Sequence, residues 1–137
     1  MTLIRTARTK LRNETRVIAE PGFPAVGTAH YLPYLEQLHR KLKPKVYFEI
    51  GTESGASLAY ATCTSIAVDP DFQLQADVSR NKPELHQFQG TSDDFFASRL
   101  LDRLGLKIDL AFLDGMHLFE YLLRDFINTE RHMAPDG

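Results

Sequence analysis

The sequence predicts an α/β fold: a doubly wound, mostly parallel sheet of about four strands with flanking helices. Two observations predict it. Short apolar, β-rich runs alternate with segments of helical period along the chain. The polar residues of chemical interest fall just after those runs, where open α/β sheets bind their ligands.

Residues 1–28 carry no sustained period, and Pro21, Gly22, Pro24 and Gly27 mark them as an irregular arm. Arg5, Arg8, Lys10 and Arg12 precede the first acid, Glu14, but no apolar core accompanies them. A solvated basic segment fits them better than a targeting peptide. Residues 29–137 form the domain. Tyr31, Leu35, Leu38 and Leu42 recur at helical spacing until Pro44 ends the helix. Val46 to Ile50 is a buried strand ending at Gly51, and a small-residue helix is expected from Gly55 to Ala61. Ser65 to Val68 is the second strand, closed by Asp69-Pro70-Asp71; residues 73–84 are loop-like. Leu85 to Gln89 is the third strand. Ala97, Leu100, Leu101 and Leu104 mark a helix capped by Thr91 or Ser92 and stopped by Gly105. Ile108 to Leu113 is the fourth strand. Phe119, Leu122, Leu123, Phe126 and Ile127 follow on one helical stripe, and Pro135-Asp136-Gly137 is a turn. A turn after a helix should feed another strand, so the sheet reads as incomplete. Exposed apolar surface, an unpaired sheet edge, or a second chain covering both is the expected consequence.

Composition narrows the function classes. The 137 residues are 43% hydrophobic and 25% charged, with a formal net charge of −2. That balance offers no general attraction to nucleic acid or to a membrane surface. No apolar stretch approaches the roughly 20 residues that span a bilayer. Cys63 is the only cysteine, which excludes an internal disulfide and suits a reducing, cytoplasmic setting.

Four clusters carry candidate chemistry. Gly51 and Gly55, after the first strand, allow a tight turn and bring backbone N–H groups close to a ligand; an ordinary strand-to-helix turn uses glycine the same way. Asp69 closes the second strand, where an acid accepts hydrogen bonds from ribose hydroxyls, or simply makes a turn before Pro70. Ser92 and Asp93 follow the third strand, placed either for an adenine edge or for capping the next helix. Asp114 and His117 follow the fourth. Asp114 is a hard oxygen ligand for a divalent cation such as Mg²⁺, and His117 suits a general base. Their alternative is helix capping and a polar first turn. The full G-x-G-x-x-G spacing of dinucleotide sites is missing, as is a phosphate-binding lysine loop.

These segments resemble the class I S-adenosylmethionine-dependent methyltransferases, which have a Rossmann-like fold, and within them the small-molecule O-methyltransferase group of catechol-type and macrocin-type sugar enzymes. The resemblance lies in Tyr47 to Ser57, Ile66 to Pro70, Gln89 to Ser92 and Asp109 to His117, and spans roughly residues 30–137. It implies that Glu49, Gly51, Thr52 and Gly55 face the methionine part of S-adenosylmethionine, that Ser57 binds its carboxylate, Asp69 its ribose, and Ser92 its adenine. It implies Asp114 as a first metal ligand and His117 as the base that deprotonates a small-molecule hydroxyl. Members of the group continue with a further strand bearing another metal-binding acid, which these 137 residues lack. A non-catalytic cofactor-binding fragment and a structural or interaction module on the same fold are the alternatives. Association of copies would cover an unfinished sheet.

Overall fold

The computed structural model describes residues Tyr31–Gly137; the arm expected at 1–28 and the start of the domain at 29–30 lie outside the described residues. The α/β class holds. Four parallel strands, β1 (Val46–Ile50), β2 (Thr64–Asp69), β3 (Leu85–Gln89) and β4 (Leu110–Leu113), lie in the order β3-β2-β1-β4. The chain therefore steps outward from β1 through β2 to β3, then returns to place β4 on the other side of β1. That reversal makes the cleft between β1 and β4 the topological switch point of the sheet.

Helix α1 (Tyr31–Leu42) leads into β1. It ends because Lys43 takes a left-handed conformation, φ 48°, donating its N–H to the His39 carbonyl, and Pro44 cannot continue the ladder. β1 is buried along its whole length, as a central parallel strand must be. Its side chains divide by the two-residue period of a strand. Val46, Phe48 and Ile50 enter one core with Ile66, Val68, Phe95 and Leu101. Tyr47 enters the other, with Leu58, Ala61, Ala67 and Val78. Phe95 is the keystone of the first, with ring centroids 5.3 Å from Phe48 and 5.4 Å from Phe88.

Three local expectations are corrected. The segment Gly55–Ala61 forms only a 3₁₀ turn, Leu58–Tyr60, because Gly55 is spent on a positive φ of 80° and Ser57 turns its hydroxyl back to the sheet. The helix expected between Ser92 and Leu104 is two, α2 (Ser92–Ala97) and α3 (Leu100–Leu104), broken where Arg99 adopts φ 55°. Thr91 is the cap of α2, accepting the Asp94 N–H at 3.1 Å. β4 begins at Leu110, since Ile108 instead exchanges backbone hydrogen bonds with the strand-like segment at Met133.

Helix α4 (Phe119–Glu130) has the predicted stripe, but the stripe points outward. Asp125 and Thr129 are its buried residues. Phe119, Leu122, Leu123, Phe126 and Ile127 are 39–76% exposed. Polar ties join α4 to α2: Arg124 meets Asp93 at 2.6 Å, and inward-facing Asp125 bonds with Ser92. No described helix is long and apolar enough to cross a membrane.

Candidate functional site

The carboxyl ends of β1, β2 and β4 bring most of the expected residues into one neighbourhood. Glu49 sits at the centre, fully buried on the same face of β1 as Tyr47. Its carboxylate accepts the Tyr47 hydroxyl at 2.6 Å on one oxygen and the Ser57 hydroxyl at 3.0 Å on the other. Burial pushes the Glu49 pKa up, against the lowering effect of the hydrogen bonds from Tyr47 and Ser57. Burial and the adjacent Glu49 push the Tyr47 phenol far up, so it remains a proton donor. Behind Tyr47 lies the edge-on ring of His39, centroids 4.6 Å apart, held below its usual pKa first by burial and then by Lys82. A short polar chain thus runs under the turn that follows β1. Thr52 is nearly buried beside Glu49, yet among the described residues its hydroxyl finds no hydrogen bond of standard geometry. It is an orphan donor and acceptor at the floor of the turn.

The turn itself is fixed by two glycines with opposite neighbours. Gly51 has φ 86°, and a Cβ there would lie 2.0 Å from the carbonyl oxygen of Asp114. Backbone bonds from the Gly51 N–H to Val68 and from the Asp114 N–H to Ile50 lock the three strand ends together. Gly55 has φ 80°, and its missing Cβ makes room for Val78 and Leu74. The first glycine therefore admits β4, and the second admits the loop before β3. Asp69 links the same turn to β2: its two carboxylate oxygens accept the N–H groups of Glu53 at 2.8 Å and Asp71 at 2.7 Å. The turn-making role and the site role fall on one side chain, because each oxygen keeps a second lone pair.

Asp114 and His117 stand differently. Asp114 is half-buried; burial raises its pKa, His117 lowers it, and Glu53 raises it. His117 Nε2 is 3.9 Å from Asp114 Oδ1, with the two side chains 78% and 39% exposed. Neither is the cap of α4, whose N-cap is Leu118. Ser92 and Asp93 follow β3 but are engaged by α4, through Asp125 and Arg124. The backbone bond from Gly90 to Asp69 joins their segment to the end of β2.

Sequence reasoning missed Tyr31. Its ring stacks on Phe112 of β4 with centroids 5.6 Å apart, and Phe112 pairs in register with Glu49. Burial and the carboxylates of Asp114, Glu49 and Glu53 raise its phenol pKa. Only tertiary folding brings the start of α1 over the strand ends, so no local pattern announces it. Two surface concavities, of about 340 and 630 Å³, lie elsewhere, around Arg99 at the start of α3 and between α1 and Cys63.

Among the described residues no three His, Cys, Asp or Glu side chains converge on a metal ion, so a cation at Asp114 would take most of its oxygen ligands from water or substrate. For an adenosine-bearing cofactor the described residues offer the spare lone pairs of Asp69 at the end of β2. No protein-family model and no curated protein matches the sequence.

Proposed function

We propose that the ends of β1, β2 and β4 bind S-adenosylmethionine, and that the protein serves O-methylation of a small-molecule hydroxyl, of sugar or phenolic type. The observation that carries this reading is the meeting of Gly51, Asp69 and Asp114 at the switch point of a parallel sheet. When bound, the cofactor supplies an electrophilic methyl group. Asp69 accepts hydrogen bonds from ribose hydroxyls while still holding the Glu53 and Asp71 amides. Thr52 closes the floor of the turn beside Glu49, and buried Glu49 keeps Ser57 and Tyr47 in place beneath it. Ser92 and Asp93 line the adenine end. Exposed His117 takes the proton from the acceptor hydroxyl, with Asp114 as counter-charge. Alignment of nucleophile and methyl carbon is the main contribution asked of the protein.

A second reading, cofactor binding without turnover, is favoured by one observation. Among the described residues His117 is held only by its 3.9 Å contact with Asp114. Isothermal calorimetry with adenosylhomocysteine separates the readings from the alternative of a structural module. Binding that is lost in Asp69→Ala supports the cofactor site. Absence of any heat of binding refutes it. Methyl transfer to a panel of sugars and phenols, lost in His117→Ala, then separates the enzyme from the binding module.

A further inference from the structure

We propose that the outward face of α4 is a homodimer interface, in which two copies pair their helices antiparallel about a two-fold axis at Leu123. The inference is independent of the methyl-transfer reading. Its starting point is a reversal of the usual pattern: α4 turns Asp125 and Thr129 inward and leaves its apolar stripe in water. Met116, Phe119, Leu122, Leu123, Phe126 and Ile127 together contribute the patch. Side chains of this size expose about 150–200 Å² each when free, so the patch presents on the order of 500 Å². A monomer rarely leaves more than a few hundred Å² of contiguous apolar surface open. Two such patches together bury on the order of 1,000 Å², which reaches the lower bound of a specific interface.

The occupant follows from the spacing. Phe119 and Ile127 stand one helical turn on either side of Leu123, on the same stripe. Antiparallel pairing therefore sets Phe119 of each copy against Ile127 of the other, with Leu123 meeting its own equivalent. That is the self-complementarity a closed two-fold contact requires. Charge does not oppose it. Arg124, on the same helix, is tied to Asp93 at 2.6 Å and lies over the Tyr121 ring, so it need not be desolvated alone. The net charge of −2 gives little repulsion between copies.

Sedimentation equilibrium of the whole chain over roughly 1–100 µM, a range in which modest interfaces assemble, tests the proposal. The expected result is a monomer–dimer equilibrium. Leu123→Asp and Phe126→Asp should each weaken association about 30-fold or more. Because these residues are exposed, both variants should keep the wild-type circular dichroism, and at concentrations low enough for the wild type to be monomeric they should keep its urea midpoint. A monomer throughout the range overturns the proposal, as do assemblies larger than a dimer. A dimer indifferent to both substitutions overturns it too. So does a monomer whose α4 face fails to bind an apolar dye, because another part of the same chain then covers it.

Discussion

The turns after β1 and β4 touch, yet they are built on opposite plans. After β1 every polar side chain that matters is enclosed and spoken for within the fold, except the Thr52 hydroxyl: Glu49 by Tyr47 and Ser57, and Asp69 by two backbone amides. After β4 an exposed His117 meets half-buried Asp114 at 3.9 Å. A rigid, internally bonded turn suits holding a ligand, since its geometry is set before the ligand arrives. An exposed histidine suits meeting a second reactant, at the cost of orientation. The difference separates binding from catalysis within one cleft.

The contrast can be broken first at the contact between the two turns. Gly51→Ala adds a Cβ at 2.0 Å from the Asp114 carbonyl, at a φ that alanine avoids. The expected loss is about 4 kcal/mol or more, since backbone itself must move; urea denaturation measures it, and a loss under 1 kcal/mol, as for ordinary surface changes, would mean the turns are not locked together. Asp69→Ala frees two amides and should cost about 2–3 kcal/mol, along with cofactor binding. Retained binding would assign Asp69 to the turn alone.

Glu49→Gln sharpens the comparison through pH. A folded-state carboxyl raised by burial loses protons later than the unfolded one. Its presence therefore costs stability as pH rises above the unfolded value, about 4.3, and through the folded value. Gln does not titrate, so the deficit of Glu49→Gln relative to wild type should shrink from pH 4 to pH 8, by an amount denaturation at each pH reads directly. A deficit independent of pH would place Glu49 among ordinary ionised carboxylates. The smallest effect is expected at His117→Ala: under about 0.5 kcal/mol in stability, with methyl transfer falling sharply while adenosylhomocysteine affinity stays. Loss of both activities together would tie His117 to binding.

Much of the scaffold was legible because strands announce themselves locally. β1 and β3 begin and end where the apolar runs do, and the α/β class follows from their alternation with helices. What was not legible depended on distant contacts. Nothing in Ala97-Ser98-Arg99 lacks helical propensity enough to predict a left-handed Arg99. Ile108 has every local mark of a strand residue and is diverted by Met133, far along the chain. In the site, Gly51 and Asp69 were readable as a pair because each ends a strand. Tyr31 was not, since its place over Phe112 is a product of packing. The stripe of α4 was readable, but the direction it faces was not: periodicity gives a face and says nothing of what meets it.

The placement of β4 beside β1 has a consequence in time. Asp109 receives the N–H groups of Lys45 and Val46, both at 2.8 Å, so the pair is clasped at its start as well as at Gly51. The ribosome delivers β1 long before β4. At about 5–20 residues per second, the central strand waits roughly 3–12 s for its second neighbour. During that interval β1, β2 and β3 can already pair, while the β1 edge that will meet β4 stays open to strangers. The switch point is thus the last part of the sheet to close, and the nascent chain is most vulnerable at the place where its ligand cleft will form.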